Sequence, residues 1–167
     1  MRFFPVLRME LLIVFRIKSL PMPLGYKARK HKMKIIKSGS RPTKKASSEW
    51  FTGTVWQEPI IEAPAPARVR ALTVAFEPGA RTAWHIHPLG QTLHVVSGIG
   101  LIGLRKEQPK KINAGDTVWI PPGEEHWHGA TAVNSMIHIA IQESLNGRVA
   151  EWLEKVSDAD YSLTSDD

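Results

Sequence analysis

The 167-residue chain is long enough for one domain and a tail. It has no cysteine, which excludes disulfides, thiolate metal sites and cysteine nucleophiles, and no apolar run nears the ~18–20 residues that span a bilayer. Its net charge of +6 is unevenly placed: residues 1–48 hold 13 Lys/Arg against one acid, Glu10, for +12, whereas residues 49–167 hold 9 Lys/Arg against 15 Asp/Glu, for −6, so the expected fold is acidic and lacks the basic patch of a nucleic-acid-binding domain.

The charge boundary divides the chain into a basic, disordered N-terminal extension, 1–48, and a single domain, 49–167. In residues 1–32, Arg8, Glu10, Arg16 and Lys18 interrupt any signal-like apolar stretch, and no small-x-small cleavage site follows. A basic amphipathic segment at a membrane surface is one reading. The preferred one is an upstream extension of the reading frame, with Met33 as the natural start and His31 merely solvated. Residues 37–49, KSGSRPTKKASSE, read as a linker or loose arm.

Trp50–Trp56 is rich in aromatic and β-branched residues and predicts a strand. Pro59, Pro64 and Pro66 then predict extended, turn-rich chain. Ala71–Phe76 alternates, with Leu72, Val74 and Phe76 on one face and Ala71, Thr73 and Ala75 on the other. Glu77-Pro78-Gly79 turns the chain into GARTAWHIHPLGQTLHVVSG, 79–98. His85 and His87 are two apart, so on a strand both rings face one point that a divalent ion can occupy. Gln91 follows in matching phase and offers an amide oxygen. His94 is out of phase and reads as a structural or interface residue. After two more short strands comes GDTVWIPPGEEHWH, 115–128, where Pro121-Pro122-Gly123 predicts a tight turn ahead of His126 and His128.

In the next strand, 136–142, Met136, His138, Ala140 and Gln142 share one face, and Ile137, Ile139 and Ile141 the other. Residues 150–156 and 158–161 read as a short C-terminal helix, and 162–167 as a frayed end. Some eight short strands between Gly/Pro turns predict an all-β sandwich or barrel. Three imidazoles and one amide oxygen suit a first-row divalent ion, with Mn, Fe, Co, Ni and Zn all admissible. His128 and His138 are candidates either for accepting a substrate proton or for orienting the ligands. Trp84 and Trp127 alternate with the histidines and are expected to pack against the second sheet or a partner.

The two histidine stretches resemble the paired motifs of the cupin superfamily, G-x5-H-x-H-x3/4-E-x6-G and G-x5-P-x-G-x2-H-x3-N. They match at Gly79, His85, His87, Gly98, Gly115, Pro121, Gly123 and His126, and depart at Gln91 and Ala130. This resemblance implies a double-stranded β-helix, or jelly-roll, barrel. The phrases WFTGTV, FEPGARTAWHIHPLGQTL, GDTVWIPPGEEHWHGA and HIAIQE resemble a narrower group, the bacterial cupins with manganese-dependent hydroxynitrile lyase activity. That resemblance implies manganese held by His85, His87, Gln91 and His126, pocket residues Thr82, His128, His138 and Gln142 with catalytic roles, and a lyase that cleaves or forms cyanohydrins. Leu72 stands where that group has a smaller side chain. The alternatives are an iron or manganese dioxygenase and a non-catalytic small-molecule-binding module. The expected partner is a small-molecule substrate, with no nucleic acid and no membrane, in a cytoplasmic protein. The outward isoleucines of 136–142 need a cover, which predicts a homodimer or homotetramer.

Overall fold

The computed structural model describes residues 32–162. The chain divides into two compact units, Met1–Ile36 and Lys37–Asp167. Of the first, only residues 32–36 are described, and they form neither helix nor strand. The expectations for the basic prefix and His31, and for 163–167 at the far end, lie outside the described residues.

The second unit is a jelly roll of two antiparallel sheets. One sheet runs in the order β1 (Lys44–Lys45), β3 (Val55–Glu62), β4 (Val69–Phe76), β11 (Met136–Glu143), the first half of β7 (Gln91–Leu104) and β9 (Thr117–Ile120). The other contains β8 (Lys110–Asn113), the second half of β7, β10 (His126–Ala130), β5 (Arg81–Thr82) and β2 (Phe51–Thr52), with β6 (His85–Ile86) also on β10 and β12 (Glu151–Trp152) on β6. β7 therefore passes through both sheets. It turns the corner at Gly98, whose φ of +79° is open to glycine and where a Cβ would run into the Ser135 carbonyl.

Between the sheets lie Val55, Val74, Phe76, Leu93, Val95 and Met136, all buried. Each such side chain contributes about 1.5–3 kcal/mol. A second apolar cluster covers the outside of the β10 sheet. There Trp84, Leu101 and Trp127 are buried beneath Leu153, Val156 and Tyr161. The Arg81 guanidinium pins this cover: it donates to the Val156 carbonyl at 3.1 Å and to Asp158 Oδ1 at 2.6 Å, and lies 4.5 Å over the Tyr161 ring. The two tryptophans thus pack under the chain's own C-terminal segment, neither against the other sheet nor at a partner surface.

Three local expectations are corrected. Residues 150–156 are not helical. Glu151 and Trp152 pair with Ile86 and His85, and the Trp84 and Leu153 amides donate to the Glu154 and Trp84 carbonyls at 3.0 and 2.8 Å. An isolated seven-residue helix is marginal, whereas the open edge of β6 offers backbone partners and Trp152 gains a stack on Trp50, 5.5 Å between ring centres. Among the described residues only Asp158–Tyr161 is helical (α1), capped by Ser157, whose hydroxyl accepts from the Asp160 amide. The strand expected over 50–56 is two strands in different sheets, parted at Gly53, and the arm at 37–49 contains β1, paired with Trp56 and Gln57. Pro59 lies within β3 at a bulge, beyond the reach of β1, where its missing N–H leaves no ladder partner unpaired. Among the described residues no helix is long and apolar enough to cross a membrane.

Candidate metal centre

The centre forms where β6, β7 and β10 meet. His85 lies directly across the ladder from His126, with ring centres 4.2 Å apart. His87 follows on the loop that leads to Gln91, the first residue of β7, and its ring lies 5.1 Å from that of His85 and 5.5 Å from that of His126. Gln91 Oε1 is 3.1 Å from His126 Nε2. The four side chains expected as ligands are neighbours here, and all are buried.

The direction of each ring is fixed from behind. Nδ1 of His85, His87 and His126 faces a backbone carbonyl, of Ala83 at 3.0 Å, Val149 at 2.6 Å and Glu124 at 2.8 Å. A carbonyl can only accept, so each Nδ1 carries the hydrogen and each Nε2 presents a lone pair inward. The Gln91 amide donates its Nε2 to Gln142 Oε1 at 3.3 Å, which turns its own Oε1 toward the histidines. His126 Nε2 and Gln91 Oε1 are then two acceptors facing one another, and His87 Nε2 is buried without a hydrogen-bond partner. Such a set is unfavourable alone and is satisfied by a cation at its focus. The residues fit a divalent ion.

Burial keeps these rings neutral. It pushes His126 down to about 4 against the opposing hydrogen bond that His126 donates to the Glu124 carbonyl, lowers His87, and together with the neighbouring imidazoles His126 and His87 holds His85 well below the usual histidine range. Neutral imidazole is the form that binds metal.

Deeper in the barrel, His138 on β11 and His128 on β10 touch through Nε2 and Nδ1 at 3.1 Å, so one hydrogen is shared along that contact. Burial pushes His138 down to about 3 and, with the surrounding histidines, holds His128 far below its ordinary value. The outer nitrogens of the pair, His128 Nε2 and His138 Nδ1, have no hydrogen-bond partner. Among the described residues the ring nitrogens that lie within 4.8 Å of one another are those of His85, His126 and His128, so on distance His128, rather than His87, completes the trio. The carbonyl-fixed tautomer favours His87, since His128 meets another imidazole where the others meet a carbonyl. Thr82 Oγ1 accepts from the His128 amide at 3.1 Å. His94 lies on the exposed outer face with Nδ1 2.9 Å from Thr117 Oγ1, away from the site.

Two residues beside the site were not anticipated. Trp152 brings its ring to 4.7 Å from that of His85; its place was hidden by the helical reading of its segment. Arg70 is in register with Gln142 and in phase with Leu72, a signal already present in the alternation of β4.

A family model described as "Cupin domain" matches residues 72–141. A solved cupin-like protein from Thermotoga maritima is 38% identical, with a TM-score of 0.67, covering 77% of this chain and 95% of that one. The chain belongs to the cupin family. This cupin is also 50% identical over 129 residues to a Granulicella tundricola protein named (R)-mandelonitrile lyase, spanning 77% of this chain and 98% of the relative. A polyketide cyclase from Streptomyces resistomycificus shares the cupin's fold at 15% identity, with a TM-score of 0.62 over 78% of this chain and 91% of that one.

Proposed function

We propose that this cupin is a metal-dependent lyase that cleaves or forms cyanohydrins, with His85, His87, Gln91 and His126 holding a divalent ion, manganese by the family resemblance. The observation that carries the reading is the set of inward lone pairs converging on one focus, in a chain 50% identical to a protein named as a mandelonitrile lyase. When bound, the ion lowers the pKa of a cyanohydrin hydroxyl.

The chain's own groups then manage the proton. The His128–His138 pair is neutral and carries one unpartnered nitrogen at each end. It accepts the hydroxyl proton at His128 Nε2, and the hydrogen shared between the rings lets the charge pass to His138. The carbon–carbon bond breaks, its electron pair leaves with cyanide, and the pair returns the proton to give hydrogen cyanide and an aldehyde. Gln142, whose oxygen is occupied by Gln91, has its amide hydrogens free to meet the nitrile. Thr82 fixes the backbone of His128, and Phe76 packs edge-on against the His128 ring, excluding water from that side.

The test is elemental analysis of protein purified without added metal, with cyanide release from mandelonitrile measured on the same sample. Release that tracks bound metal and proceeds without oxygen supports the reading. Metal-loaded protein that releases no cyanide, or that consumes oxygen with substrate, overturns it.

A further inference from the structure

One row of the ladder crosses four neighbouring strands. Gln91 pairs with Gln142, Gln142 with Arg70, and Arg70 with Glu62. Side chains of directly paired residues lie on the same face of a sheet. Arg70 is thus on the face that carries Gln91 and Gln142, in phase with Leu72, Val74 and Phe76. Neighbouring strands lie ~4.8 Å apart, so the Arg70 backbone is roughly 10 Å from that of Gln91, a distance the arginine side chain and a small ligand span between them.

Among the described residues of β4, β7, β10 and β11, Arg70 is the one basic side chain on the inward row. Apart from Glu62, which shares its row from the neighbouring strand, the inward groups near it are neutral histidines, glutamines and hydrocarbon. Its side chain is 31% exposed and its guanidinium contacts Glu62, whose side chain is 70% exposed. A cleft of about 530 Å³ opens beside it at the barrel end, lined by Glu62, Arg68, Arg70, Ser144 and Asn146 among others and by none of the metal-centre residues.

We propose that Arg70 binds a carboxylate on the substrate, so that this cupin acts on aldehydes or cyanohydrins that carry an acid group at the end remote from the metal. This rests on the reading that the carbonyl or hydroxyl end sits at the metal centre. An arginine fork matches a carboxylate with two parallel hydrogen bonds. Glu62 occupies that fork from solvent, and an ion pair so exposed adds little stability. A ligand carboxylate anchored by its far end displaces Glu62 into water. No covalent step is involved.

The experiment is calorimetric titration of the manganese-loaded full chain with benzaldehyde, 3-carboxybenzaldehyde and 4-carboxybenzaldehyde. At least one acid should bind about tenfold more tightly than benzaldehyde, the effect of one charge-assisted contact. In Arg70→Leu that ratio should fall to about one. Glu62→Gln, which removes the competing carboxylate and keeps the arginine, should raise it. No preference in the wild-type protein, or a preference that survives Arg70→Leu, overturns the proposal. Because binding is measured without turnover, a clear preference in protein that releases no cyanide from mandelonitrile would sink the lyase reading and leave this one standing.

Discussion

Acid should unfold the metal-free protein through its buried imidazoles. Burial holds His138 at about 3 and His126 at about 4, while the same rings in an unfolded chain titrate near ~6.5. Between those values the unfolded chain binds more protons than the folded one, so stability is fully present above about pH 6.5 and falls as the pH drops toward the folded values. At pH 5 each of the two rings is almost wholly protonated when unfolded and almost wholly neutral when folded, a loss of about 2 kcal/mol apiece. His85 and His128 shift in the same direction and add to it. The His138 and His126 shifts alone remove about 4 kcal/mol, a large share of the ~5–15 kcal/mol that holds a domain together. Urea unfolding of EDTA-treated protein, followed by tryptophan fluorescence at pH 7.5 and pH 5, reads this directly. In His138→Gln an amide oxygen can still accept from His128 Nδ1 but one titrating ring is gone, so the fall between the two pH values should shrink by about 2 kcal/mol. An unchanged fall in the variant, or a wild-type stability that is flat from pH 7.5 to pH 5, refutes the reasoning.

Elemental analysis should find stoichiometric metal lost in His126→Ala and retained in His94→Ala, because only the first ring faces the common focus. Equal loss in both would break the phase argument on which the site rests. Gly103→Ala would drive a methyl group into the buried Trp127 indole and should cost about 1–3 kcal/mol, seen as a lower melting temperature. A variant as stable as the parent would show that the cover over β10 yields easily. On the outer face of the other sheet, Trp119 is 61% exposed and shares the surface with Val96, Ile141 and Trp56, and Ile139 sits mid-sheet between Thr73 and His94. A second copy is expected to cover this face, so Ile139→Glu should lower the mass in sedimentation while keeping bound metal. A wild-type monomer at micromolar concentration would refute it.

The inward and outward faces of the strands were legible because strand alternation is strict. His85, His138, Ala140 and Gln142 all face inward as their spacing requires, and His94 faces outward. The glycine and proline turns were equally plain. What fixes the chemistry was not. The tautomers of His85, His87 and His126 depend on the carbonyls of Ala83, Val149 and Glu124, and a carbonyl's direction leaves no mark on residue type. The helix expected at 150–156 failed for a related reason. Glu151 and Trp152 are strand because β6 has a free edge, and an edge exists only once the sheet is built. Trp84 and Trp127 announced an apolar outer surface, but residue spacing could not say that Val156 and Tyr161, held by Arg81, would return to cover it.

The carbonyl of Val149 that sets the His87 ring, and the strand β12 that lies along His85, have a consequence for when the metal can be chosen. During synthesis both histidines leave the ribosome well before either support exists, and at ~5–20 residues per second the wait lasts several seconds. Through that interval the histidines are loose imidazoles, which by intrinsic affinity favour copper or zinc over manganese. The finished geometry can discriminate only after β12 has docked. If the proposed site takes a metal, the supply present while the nascent chain completes its barrel would then bear on which ion is held first.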